Sequence, residues 1–360
     1  MNDTMDEENY LLFLEFYENN DTEVTPDYVI DHVVKLCQKT DVTEFGARYL
    51  PPFYYINFLI SVLGNGLVLY IIYKYEKLST VTNIFLLNLV ISDLLFACSL
   101  PFEAVYHASE WIFGLAMCKL VRSLFSVGFY SSILFLTLMT FDRYLAVVHA
   151  VTAAKQRRKA YAISSSVVVW VVSLASSVKE LILHTTSKDP KNGEMCEEFG
   201  YKKDTLDNWQ LFGYYQQFFL FFLVPLAIVL YCYVRITVRI MDTRMKEKCR
   251  AVKLIFVIVL TFFICWTPYN IVILLKALEM SSITTAECPS DALDYAHFIT
   301  RNLAFLYCCI CPVFYTFVGK KFQNHFRRML ARHMPCLKIT LLESQSSRTT
   351  SHKSPFTTDY

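Results

Sequence analysis

Ionisable side chains interrupt this 360-residue chain at points where its surroundings are strongly apolar. Asp93 lies in "LNLVISDLLFA", Glu103 shortly after it, Asp142 and Arg143 in "FDRYLAVVHA", and Arg301 in "ITRNLAFLYCC". A charge inside a membrane segment is costly, so such groups face a protein interior or a watery cavity and mark ion paths, ligand pockets or switches. The adjacent Asp142 and Arg143 form a local pair that can be released, which is the chemistry of a two-state switch. Asp93 alone is suited to hold a cation, which leaves an ion channel or transporter as a remote alternative. The scattered His and Ser residues show no nucleophile–base pattern. No catalytic residue and no metal site are assigned, and the chain is not read as an enzyme.

These groups need a scaffold, and the composition supplies it. The chain is 54% hydrophobic and 18% charged, against about 25% charge in ordinary soluble domains. Its apolar residues fall in blocks long enough to cross a hydrocarbon core of about 30 Å. Seven spans are expected, near Leu50–Tyr73, Thr82–Ala108, Leu115–Val147, Ala160–Leu183, Trp209–Ile236, Val252–Glu279 and Leu293–Val318. Backbone groups in lipid must bond among themselves, so these spans are helices. The short alternating segments of a β-barrel are missing. No inverted repeat is visible, which weighs against a transporter. The fold class is an all-α membrane protein, a seven-helix bundle with a short amphipathic helix after the seventh span.

Basic residues cluster after spans one, three, five and seven, as in Lys155, Arg157, Arg158 and Lys159. By the positive-inside rule these segments are cytoplasmic, with the N-terminus outside and the C-terminus inside. The expected organisation is an acidic outer tail over residues 1–49, the bundle over 50–318, the amphipathic helix over 319–335 and a Ser/Thr-rich tail over 336–360. The acidic N-terminal region lacks the basic start of a secretory leader. Asn2 and Asn20 each open an Asn-x-Thr sequon, and Asn20 is the better glycosylation site. Tyr10, Tyr17 and Tyr28 stand among acids, an arrangement that could attract a basic partner. Of 12 cysteines, Cys37, Cys118, Cys196 and Cys288 fall in segments expected outside. Two disulfides are expected there, with three pairings open. Cys336 is a candidate palmitoylation site, and the C-terminal tail suits multisite phosphorylation.

One set of special residues stands in each span: Asn65, Asp93, then Asp142-Arg143-Tyr144, Trp170, Pro225 with Tyr233, Trp266 with Pro268 in "CWTPYN", and Pro312 with Tyr315 in "CPVFY". Together and in this order they resemble the rhodopsin-like G-protein-coupled receptors. "SLPF", "WIFG", "DRYLAVVHAV", "CWTPYNIVILL" and "PVFYTFVGKKF" narrow the resemblance, which covers essentially the whole chain, to chemokine receptors. "LDYAHFITRNLAFLYCC" is most similar to the lymphotactin, C-type branch, and "TPYNIVILL" is similar to CC-type receptors.

That resemblance implies disulfides Cys118–Cys196 and Cys37–Cys288. It implies a basic secreted chemokine whose flexible end enters a cavity lined by Tyr54, Glu103, Tyr106, Phe125, Tyr269 and Arg301. It implies G-protein coupling through Asp142, Arg143, Tyr144, Tyr233, Trp266, Pro268, Pro312 and Tyr315, with arrestin and receptor kinases on the tail. The partners are chemokine, G protein, arrestin, kinases and membrane lipid, with no nucleic acid. Glu103 stands where many members have tryptophan, and is expected to add negative charge to the pocket. Cys311 replaces an asparagine that, in the family, joins Asp93 and Ser132 around sodium. A thiol is a weak hydrogen-bond partner, so a sodium ion near Asp93 is expected to be held less well. No other cofactor is expected.

Overall fold

The computed structural model describes residues 40–75, 80–150, 159–189, 193–243, 246–281 and 291–318. Within these, the side chains of 40–45, 203, 243, 246–251, 253–255, 258, 291 and 308–318 lie outside the description. So do Asn2, Tyr10, Tyr17, Asn20, Tyr28, Cys37, Cys288, Cys336, the tail segments around them and the segment expected as an amphipathic helix.

The helices are α1 (Thr40–Tyr75), α2 (Val81–Ala108), α3 (Gly114–Val148), α4 (Lys159–Ser176) and α5 (Val178–Leu183). A hairpin of β1 (His184–Asp189) and β2 (Gly193–Glu198) follows. Then come α6 (Lys203–Tyr215), a π-helical stretch Gln216–Leu223, α7 (Val224–Thr243), α8 (Lys246–Ser281) and α9 (Asp291–Val318). Helix α4 runs into α5 as span four, and α6 through α7 forms span five. All seven expected spans are therefore helical, and six meet the length and apolarity needed to cross a membrane within the described residues. Span one begins as a helix at Thr40, ahead of its apolar stretch, because apolarity reports the hydrocarbon depth rather than the helix end.

The surface is inverted relative to a water-soluble bundle. Leu63, Val168, Leu230 and Ile264 lie more than half exposed, whereas Asn57, Ser61, Asn65, Asp93 and Asn270 are buried. Lipid tails can cover apolar side chains but offer no hydrogen bonds, so polar groups turn inward to find partners. Asn65 donates to Ser61 Oγ at 3.1 Å. Trp170 Nε1 donates to Asn88 Oδ1 at 2.8 Å, tying span four to span two. Gly128 allows a still closer approach. A Cβ there would come within 2.7 Å of the Phe96 backbone nitrogen, so spans two and three meet backbone to backbone only because the side chain is absent.

Pro225 accounts for the π-helical stretch. Proline has no N–H for the carbonyl one turn back and crowds it, and the turn before it widens. In span six Pro268 sits inside α8, and the Asn270 amide donates to the Trp266 carbonyl at 2.9 Å beside it.

Candidate functional site

The end of the bundle that carries the β1–β2 hairpin holds a buried charged ring. Glu103, on α2 two residues after Pro101, is 1% exposed. Its Oε1 lies 2.9 Å from Arg122 on α3. Its Oε2 lies 3.5 Å from Arg301 on α9 and 3.9 Å from His107 Nε2. The contacts of Oε2 have ion-pair distance without hydrogen-bond geometry. The negative charge expected of Glu103 is met by two guanidinium groups, one of which, Arg122, also lies 3.7 Å from Glu197.

Aromatic rings hold these charges in place. The Arg301 guanidinium lies 5.4 Å from the Phe125 ring and 5.5 Å from that of Phe305. Such contacts are attractive because a ring face is electron-rich. Tyr54 is buried 5.6 Å from Phe305 and 5.7 Å from His107. Above them the hairpin closes down through Cys118–Cys196. Arg122 also donates to the Cys196 carbonyl at 3.2 Å, and the Tyr106 hydroxyl donates to Glu197 at 3.0 Å. Tyr269 lies to one side, 5.9 Å from Trp266 and 5.4 Å from His297.

Below the ring runs an aromatic column. Phe125 packs on Phe96 at 4.9 Å, Phe96 meets Trp266 edge-on at 6.1 Å, and Trp266 stacks on Phe129 at 4.1 Å. Phe262 and Tyr307 follow, 5.1 Å apart. The column ends on a cavity of about 10 Å³ lined by Asp93, Phe96, Gly128, Phe129, Ser132, Phe262, Trp266 and Tyr307. Ser132 donates to Asp93 there at 2.7 Å.

At the opposite end of the bundle Asp142 is buried, and Arg143 donates across to Thr82 of span two. The Tyr144 hydroxyl pairs with His149 Nε2 at 3.0 Å, and its ring lies 5.8 Å from Tyr231. Tyr233 is buried against Phe256 of span six at 5.0 Å.

A family model for the seven-transmembrane receptors of the rhodopsin family matches residues 64–315. The chain is 38% identical, over 83% of itself and 83% of the relative, to C-C chemokine receptor type 3 of Cavia porcellus. It is 36% identical to C-C chemokine receptor type 4 of Homo sapiens over 90% of each chain. With C-C chemokine receptor type 3 of Macaca mulatta it shares 37% identity over 91% of this chain and 93% of that one. The chain belongs to the chemokine receptors of the rhodopsin family.

In this receptor the structure gathers Tyr54, Glu103, Phe125 and Arg301 into one cluster, with Tyr106 at its rim under the hairpin and Tyr269 beside Trp266. Asp93 and Ser132 meet directly. Pro312, Tyr315 and Cys311 lie on α9, with side chains outside the description. Sequence reading missed Arg122, which is the residue nearest Glu103. A signal was present: Arg122 is an ionisable residue in an apolar stretch, one helical turn after Cys118 and so on the same face. It also missed a second charged group beside the hairpin, where Glu180, His184 and Glu198 lie around Lys179. Burial holds the His184 imidazole down to about 4, with Glu180 working partly against it.

Proposed function

We propose that this receptor binds a small, basic, secreted chemokine of the C or CC class and activates a heterotrimeric G protein of the inhibitory class, driving leukocyte chemotaxis. The supporting observation is the unbroken path from the Glu103–Arg122–Arg301 ring, through the Phe125–Phe96–Trp266–Phe129 column, to Asp93. The folded ligand meets the acidic N-terminal region with Tyr10, Tyr17 and Tyr28, where opposite charge speeds encounter. Its flexible end enters beside Tyr54, Tyr106 and Tyr269, and competes for the groups of the charged ring. A pocket that holds two guanidinium groups beside the carboxylates of Glu103 and Glu197 favours a ligand end carrying acceptors as well as its amine.

Displacement at the ring moves Trp266, and the kink at Pro268 turns that into a swing of span six. Arg143 then leaves its resting contacts for the opened inner cleft, while Tyr144, Tyr233 and Tyr315 support the open packing. This is a shift between two discrete packings. Sodium has a minor place in this reading. Hard cations gather about six oxygens, whereas Asp93 and Ser132 share their small cavity with five aromatic rings and Gly128. Cys311 in place of asparagine weakens that site further. The receptor sits in the plasma membrane with its N-terminus outside; arrestin and receptor kinases meet the Ser/Thr-rich tail. Asn20 and Asn2 carry glycans, Cys336 carries a palmitoyl chain, and Cys37 pairs with Cys288.

A panel of C- and CC-type chemokines tested for nucleotide exchange on purified G protein checks the proposal. One or more ligands should accelerate exchange. Uptake of a bound chemokine without exchange would instead identify a scavenger receptor.

A further inference from the structure

The end of span four and the hairpin bring three metal-ligating side chains together. Glu180 lies on α5, His184 opens β1 four residues later, and Glu198 closes β2 as the cross-strand partner of His184. One ligand atom from each lies within 4.8 Å of the other two. Ligands about 2.1 Å from a tetrahedral zinc are roughly 3.4 Å apart, so modest side-chain rotation closes the set. All three are largely withdrawn from solvent, with side chains 10%, 8% and 14% exposed in chain order.

His184 supplies the second observation. Its Nδ1 is buried and makes no hydrogen bond among the described residues, although Glu180 Oε2 stands 3.1 Å away. A buried imidazole nitrogen held against a carboxylate without hydrogen-bond geometry is free to ligate a cation. Positive charge already occupies the neighbourhood. Lys179 Nζ lies 3.1 Å from Glu180 Oε1 and 3.8 Å from Glu198 Oε1. The ammonium lies against the two carboxylates, whereas a metal ion would engage the imidazole nitrogen as well.

We propose that Glu180, His184 and Glu198 form an extracellular zinc site, with Lys179 as its built-in competitor. Imidazole nitrogen and carboxylate oxygen are both zinc ligands, and a site with three protein ligands takes a water as the fourth. A bound ion fastens span four to both strands of the hairpin. That hairpin carries Cys196 and Glu197 against the charged ring, so zinc restricts the movement that admits a ligand to the cavity.

The test is equilibrium dialysis of zinc against the full-length receptor in detergent micelles, with no chemokine present. Wild type should bind one more zinc per chain than either His184→Gln or Glu198→Gln. Equal stoichiometry in wild type and both variants overturns the site. Lys179→Met provides a gain that misfolding cannot mimic. Removing the competing ammonium should tighten zinc at this site by at least about tenfold. Unchanged or weaker binding in that variant overturns the competitor role and with it the proposal. Zinc should also raise the melting temperature of wild type and leave that of His184→Gln unmoved.

Discussion

The Glu103 carboxylate and the Arg122 guanidinium, from spans two and three, meet at 2.9 Å with both side chains withdrawn from solvent. Removing Arg122 leaves Glu103 to the more distant Arg301 and His107, and losing one partner of a buried pair costs up to about 3–5 kcal/mol. Arg122→Met should therefore lower thermal stability in detergent sharply. The double variant Glu103→Gln/Arg122→Met should recover part of the loss, because the close pair is removed together and only the less buried Arg301 loses its carboxylate. If single and double variants melt together, the pair is not coupled and Arg301 alone holds Glu103.

The contact between spans two and three at Gly128 gives a purely steric prediction. A Cβ would stand 2.7 Å from the Phe96 nitrogen, and backbone cannot rotate away as a side chain can. Gly128→Ala should cost about 1–3 kcal/mol, the range for overpacked cores. Gly66→Ala on span one is the control, since a Cβ there meets nothing within 4 Å. It should be neutral or stabilise by about 0.5–1 kcal/mol through helix propensity. Comparable losses at both sites in a melting assay would rule out the close approach.

Trp266 joins the ligand end of the bundle to the Asp93 cavity, stacked 4.1 Å from Phe129. Trp266→Leu keeps an apolar side chain but removes the ring proposed to carry movement between the two. Chemokine affinity should change little, while ligand-driven nucleotide exchange falls by about 5–150-fold, the range of ordinary coupling energies. A parallel loss of affinity and exchange would make Trp266 part of the binding surface instead.

Ser132 donates to Asp93 at 2.7 Å in a cavity otherwise walled mainly by aromatic rings. Ser132→Ala should destabilise the receptor by about 1–3 kcal/mol, the penalty for stripping a buried acceptor of its donor. Cys311→Asn adds an amide that can bond a carboxylate, and should make basal nucleotide exchange more sensitive to sodium. Basal exchange that responds to sodium identically in both forms would leave Cys311 as a packing residue.

The amino-acid sequence alone determined the number and helical nature of the spans, because apolar length and backbone hydrogen bonding in lipid leave no other solution. It also determined the family, since Asn65, Asp93, Asp142-Arg143-Tyr144, Trp266-x-Pro268 and Pro312 stand one set to a span. It marked Glu103 and Arg301 as pocket residues, because isolated charges in such helices must turn inward. It allowed those two to pair with each other, as they do at 3.5 Å, but did not bring Arg122 into the pair. Arg122 lies nearer to Glu103 than Arg301 does, and that ranking depends on how three helices rotate and lean against one another. The Lys179–Glu180–His184–Glu198 group was equally hidden. Glu180 and His184 are one helical turn apart, but Glu198 joins them only through the register of a hairpin that pairs it with His184. Spacing along a chain shows which residues share a face of one helix, and packing between elements decides which charges touch.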